Sequence, residues 1–179
     1  MLNILSRITG SNRAEKRDAK RIYAKTMAQS RLPEFYGDNL CQDTTDGRME
    51  ILCLHISTIM YVLRGHGDTG AKLTQAIYDV MIDDFDVALR EEGLADTGVS
   101  RRIKPLAKMF FARAKQYADI FDGADDVGAL EVIIGEYVCE NAENARVFAL
   151  YGKNFLENVS KQDLGDIATG NLGFPKFSK

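Results

Sequence analysis

Apolar residues recur at three- and four-residue steps along most of this chain, and no segment shows the sustained period of two that half-buried strands require. Over 12–30, Ile22, Tyr23 and Met27 make a thin apolar stripe on an otherwise polar helix, which Leu32-Pro33 breaks before a loop through Gly37 and Cys41. Thr44, Thr45 and Asp46 offer caps for a helix to residue 63. Its Met49, Leu52, Ile56, Ile59, Met60 and Leu63 keep helical spacing, but the segment is apolar nearly all round, which predicts the central buried helix.

Asp68 or Thr69 can cap the next helix, over 68–92, whose Leu73, Ile77, Val80, Met81, Phe85 and Leu89 share one face and which Gly93 ends. A fourth helix covers 100–121 with Ile103, Leu106, Phe110, Ala114 and Tyr117 inward, and Pro105 should kink or delay it. Asp125 or Asp126 caps a fifth, containing Leu130, Ile133, Ile134, Tyr137 and Val138, and a sixth spans 143–159. The expectation is an all-α protein: a single helical domain of about six helices over 32–168, a basic N-terminal helical arm over 1–31, and a loose C-terminal tail over 169–179.

The longest uncharged apolar stretch, 51–63, falls well short of the roughly 20 residues that span a bilayer. Interruptions at Asn3, Ser6 and Arg7 also deny the N-terminus a secretory signal's apolar region. Cys41, Cys53 and Cys139 are odd in number and widely spaced, so they suggest neither a disulfide framework nor a zinc site, and they fit a reducing, cytoplasm-like compartment. A net charge of −3 argues against a general nucleic-acid binder.

That small net charge conceals a strong asymmetry. Arg7, Arg13, Lys16, Arg17, Lys20, Arg21, Lys25 and Arg31 face only Glu15 and Asp18 in the arm, so the rest of the chain is markedly acidic. Such an arm, with Leu2, Ile4, Leu5 and Ile8 ahead of it, suits weak contact with an anionic membrane surface. Within the body, residues 68–96 carry Asp68, Asp79, Asp83, Asp84, Asp86, Glu91, Glu92 and Asp96 against Lys72 and Arg90. Residues 101–115 carry Arg101, Arg102, Lys104, Lys108, Arg113 and Lys115 with no acid. This switch across one short connection favours antiparallel neighbours with complementary flanks. It also marks an acidic face (Asp79, Asp83, Asp86, Arg90, Glu91) and a basic face (Arg101, Arg102, Lys108, Arg113) as candidate partner-binding surfaces.

Two motifs invite chemistry. Gly65-His66-Gly67-Asp68-Thr69-Gly70 matches GxGxxG, but it follows a helix instead of a strand, so a helix-to-helix turn explains it. Asp79, Asp83 and Asp86 share one helix face, as magnesium-binding carboxylates do in helical enzymes that act on diphosphates; the cluster that would face them, Asp122–Asp126, reads better as a loop and cap. A magnesium-dependent helical enzyme is therefore the alternative, and a generic helical adaptor at the membrane surface is another. His55, inside the buried helix, reads as a hydrogen-bonded core residue, and no catalytic constellation, metal site or cofactor site stands out.

Three adjacent segments resemble the ubiquinol–cytochrome c chaperone family. They are Asp46-Gly47-Arg48-Met49-Glu50 through Leu54-His55 to Leu63-Arg64-Gly65; Ile77-Tyr78-Asp79 through Asp84-Phe85-Asp86 to Leu89-Arg90-Glu91; and Gly98-Val99 through Lys104 to Phe110-Phe111-Ala112-Arg113 and Tyr117. Pro105 stands where the family usually has a lysine-rich helical stretch, and Ala112 where a glycine is common. The resemblance implies a helical, non-enzymatic assembly factor for the respiratory cytochrome bc1 complex that binds newly made cytochrome b. It implies a cytoplasmic protein, peripheral on the inner membrane, or one on the matrix side in a mitochondrion.

Overall fold

Helix α2 (Thr45–Leu63) is the axis around which the chain is arranged. The computed structural model describes the backbone of residues 2–123 and 126–178, and the side chains of 13–123 and 127–178. The side chains of Leu2, Ile4, Leu5 and Ile8 and the Asp125/Asp126 cap lie outside these. Around α2 stand α1 (Leu2–Ser30), α3 (Gly67–Glu91), α4 (Asp96–Phe121), α5 (Asp126–Tyr137), α6 (Ala142–Ser160) and a short α7 (Leu164–Thr169). Two 3-10 turns, Pro33–Phe35 and Arg64–His66, complete the chain, and no strand occurs among the described residues. The protein is all-α.

Being apolar all round, α2 feeds two hydrophobic clusters at once. On one side Met49, Leu52, Cys53, Ile56 and Ile59 pack with Ala19, Ile22 and Tyr23 of α1, with Leu73, Ile77, Val80 and Met81 of α3, and with Phe110 and Phe155. On the other, Ile51 and Leu54 meet Phe35, Tyr117, Leu130, Ile133, Ile134, Phe148 and Tyr151. Fully burying one such side chain stabilises the fold by about 1.5–3 kcal/mol, so α2 sums contributions that no surface helix could. Thr44 caps it by accepting a hydrogen bond from the Gly47 amide at 3.1 Å.

The GxGxxG segment joins α2 to α3 through the Arg64–His66 turn. Gly70 is required for close approach: a Cβ there would lie 2.0 Å from the Leu63 carbonyl oxygen. Gly65, in the same motif, has nothing near its would-be Cβ. The glycines therefore serve a tight helix-to-helix corner.

Three expectations are corrected. Helix α4 begins at Asp96, not 100, and runs through Pro105. The proline stands on the exposed face, where the carbonyl it leaves unpaired is open to water. The C-terminal stretch after α7 is packed: Leu172 and Phe177 are buried, and Phe174 stacks on Phe155 at 4.9 Å. Finally, α1 from Ala19 onward belongs to the main core, with Ala19, Ile22, Tyr23, Thr26 and Ser30 all buried.

Candidate partner-binding surfaces

The acidic residues of α3 are mostly engaged within the molecule. Asp79 accepts a hydrogen bond from Gln75 Nε2 at 2.7 Å, and Asp83 lies 3.9 Å from Lys16 Nζ of α1. Asp84 accepts from the Tyr23 hydroxyl at 2.8 Å; burial, helped by that carboxylate, pushes the Tyr23 pKa well above its ordinary value. Asp86 pairs with Arg90, which also holds Asp96 in the first turn of α4. Arg90 thus ties the α3–α4 corner, while Asp79, Asp83 and Glu91 remain exposed along α3.

The basic residues of α4 contrast with this. Arg101, Arg102, Lys104 and Lys108 are exposed and have no ion pair among the described residues, and Lys115 pairs only with Asp119 one turn on. The anticipated flank-to-flank pairing of α3 carboxylates with these cations is absent among the described residues; the ion pair at the corner, Arg90 with Asp96, runs the other way, from a cation of α3 to a carboxylate of α4. The reason is rotational. Helix α4 turns Val99, Phe110, Tyr117 and Phe121 inward, which points Arg101, Lys104 and Lys108 to solvent.

Arg113 stands apart from that basic face. The residue is 9% exposed, and its guanidinium donates from Nε and Nη2 to the two Glu50 carboxylate oxygens at 2.8 and 2.9 Å. It also lies 3.2 Å from the centroid of the Tyr137 ring. Burial disfavours its charge, but the hydrogen bonds and charge of Glu50 outweigh that and raise its pKa. The side chain joins α2, α4 and the end of α5. Its place on the inward half of α4, four residues before Tyr117, was the available sequence signal.

Beside Glu50 a cleft of about 660 Å³ opens between the 37–47 loop and the α5–α6 connection, and Asp38, Asp46, Glu50, Glu136 and Glu140 line it. Cys41 and Cys139 are both buried in this region; burial, reinforced by Cys139, drives the Cys41 thiol up to about 12, so it is not a nucleophile at neutral pH. His55 is fully buried, as anticipated. Its Nδ1 donates to the Ile51 carbonyl at 2.8 Å with Ser30 Oγ at 3.1 Å, and its Nε2 accepts from the Tyr151 hydroxyl at 2.7 Å. Gln29 Nε2 donates in turn to that hydroxyl at 3.1 Å. Burial lowers the His55 pKa to about 4, and the ring bridges α1, α2 and α6 as a neutral group.

For magnesium chemistry the geometry is unfavourable. Asp86 is held by Arg90, and Asp84 turns towards Tyr23. Asp122 accepts from the Tyr61 hydroxyl at 3.0 Å and lies 3.3 Å from Arg64. No group of three or more His, Cys, Asp or Glu among the described residues could hold a metal ion.

Comparison with known proteins decides the lineage. The sequence model of the ubiquinol–cytochrome C chaperone family matches residues 40–176. The chain belongs to that family. Among solved structures it is similar to the crystal structure of the Cbp3 homolog from Brucella abortus, with a TM-score of 0.79 and 28% identity over 98% of this chain and 97% of that one. No curated protein matches. The exposed carboxylates of α3, the exposed cations of α4 and the cleft residues all lie within the part of this ubiquinol–cytochrome c chaperone that the family model matches, except for Asp38 and its neighbours before residue 40. The family match includes α2 to α7 and the packed C-terminal stretch as far as residue 176. No helix of the described residues is long and apolar enough to cross a membrane.

Phe111, named in the sequence only as part of a family motif, is 55% exposed. The pair Phe110-Phe111 carried the signal, because neighbours on a helix point about 100° apart and only Phe110 can face the core.

Proposed function

We propose that this protein is an assembly chaperone for the cytochrome bc1 complex that binds newly made cytochrome b at the membrane surface before its partner subunits join. The observation that carries the reading is the family match across 40–176. A multi-spanning client presents polar loops beside the bilayer, and the loops on the cytoplasmic or matrix side are rich in Lys and Arg. The exposed carboxylates of α3, Asp79, Asp83 and Glu91, are the complementary surface for such loops. Arg90 and Asp86 hold the corner that presents them, so their contribution is through shape. The protein works as a binding module, peripheral on the membrane, with a rigid helical body and no chemical step of its own.

The test is deletion of the gene followed by reduced-minus-oxidised haem spectra and immunoblots of the membranes. Loss of bc1-associated b-type haem and of cytochrome b, with transcripts intact and recovery on complementation, is the expected result. A normal bc1 complex would overturn an essential chaperone role. A triple variant, Asp79→Lys/Asp83→Lys/Glu91→Lys, should retain its helicity but lose co-purification with cytochrome b. Undiminished co-purification would move the client surface elsewhere.

A further inference from the structure

Helix α4 carries a continuous exposed stripe, most of whose cations have no ion pair among the described residues. Lys104, Lys108, Phe111 and Lys115 follow at four-, three- and four-residue steps, which places them on one side of the helix, with Arg101 one turn before. The stripe extends about 21 Å at 1.5 Å per residue. Residues 101–115 contain no acid, and Arg101, Lys104 and Lys108 have no ion pair among the described residues. Lys115 is shared with Asp119. Amid these cations Phe111 keeps more than half its surface in water, its ring tilted by 35° against that of the half-buried Tyr78 of α3, 4.9 Å away.

An exposed phenyl ring costs solubility and adds little to the fold, and unpaired cations on one helix face repel one another. Both features gain a purpose against an anionic surface. We infer that this face of α4 docks on an anionic lipid bilayer, with Lys104, Lys108 and Arg101 among the phosphates and Phe111 at the headgroup–acyl boundary.

The choice of occupant follows from charge and geometry. Lysines dominate the central stripe, and an ammonium on a flexible stem suits mobile headgroups, whereas a protein carboxylate of fixed geometry is better met by the arginine fork. The face is the solvent side of α4, with one aromatic among its cations. That is how interfacial helices sit, with long cationic side chains reaching up to the phosphates around a sunken ring. The inference deepens the proposed function by giving the chaperone an orientation at the membrane, and it rests on that reading only for its purpose, because the vesicles used to test it contain no client.

The protein has no tryptophan, so Phe111→Trp places a single reporter in the stripe. Titrated with phosphatidylcholine vesicles containing phosphatidylglycerol, the purified variant should show a blue-shifted emission that bromolipids quench and added salt reverses, and vesicles of phosphatidylcholine alone should give neither change. Lys104→Gln/Lys108→Gln in that background should weaken partitioning about 25-fold, from roughly fivefold for each lysine removed. Helicity by circular dichroism should be unchanged, since both positions are exposed. An emission that stays at the exposed position on anionic vesicles would overturn the inference. So would undiminished binding of the double variant, which would assign binding to the basic arm, or binding to RNA or acidic protein with none to vesicles. Each leaves co-purification with cytochrome b as a separate readout, so loss of one reading is distinguishable from loss of the other.

Discussion

The Arg113 guanidinium on α4 grips the Glu50 carboxylate on α2 through two hydrogen bonds of 2.8 and 2.9 Å, with both side chains only 11% exposed. Five positions of the same stretch, Arg101, Arg102, Lys104, Lys108 and Lys115, face water. A segment uniform in charge along the sequence therefore divides into an internal clasp and an outer surface.

Breaking the clasp from one side leaves a buried carboxylate without its partner. Arg113→Met should destabilise the protein by about 3–5 kcal/mol in urea unfolding, and the double variant Arg113→Met/Glu50→Leu should recover most of that. If the single variant unfolds at the wild-type urea concentration, the pair contributes nothing to the joint between α2 and α4.

His55 links stability to pH. Burial depresses its pKa to about 4 against 6.5 in the unfolded chain, so between these values the unfolded state binds a proton that the folded state refuses. The contribution is complete above pH 6.5 and is lost as the pH falls towards 4, at up to about 1.4 kcal/mol per pH unit. His55→Gln should flatten this part of the stability–pH curve. An unchanged slope would place the titration elsewhere.

Two of the three glycines of the α2–α3 corner, Gly65 and Gly70, should respond differently. Gly70→Ala drives a methyl group into the Leu63 carbonyl, which would be 2.0 Å away, and should cost on the order of 2 kcal/mol and lower the Tm. Gly65→Ala has open space and should leave the Tm within a degree or two of wild type. Equal effects would mean that the corner relaxes without strain.

The C-terminal stretch should behave as core. Phe177 lies 4.7 Å from Phe148 and 4.8 Å from Phe35, ring centre to ring centre. Phe177→Ala should cost about 3 kcal/mol, and removal of 171–179 more, by thermal or urea unfolding. A truncated protein as stable as the parent would restore the view of a loose tail.

Much of the fold was legible because helical periodicity is a local property. The stripes from Met49 to Leu63 and from Leu73 to Leu89 mark the helices that form, the Thr44 cap is used, and the glycine motif turns one helix into the next. His55 in an apolar segment is the core residue its surroundings indicated. The family too was readable from short motifs in α2, α3 and α4, and the match over 40–176 bears it out.

What the chain alone determined, then, was which residues share a helix face and how charge is distributed among the helices, since both follow from spacing along one backbone. Tertiary structure decided which charges remain available. Asp84 is taken by Tyr23, 61 positions away, and Arg113 by Glu50, 63 positions away. No local pattern encodes these pairs, because they depend on how α1, α2, α3 and α4 rotate to bury their apolar sides. The packing of Phe177 beneath Phe35 has the same origin: a short stretch without periodicity carries no signal of burial until a groove of the right shape exists to receive it.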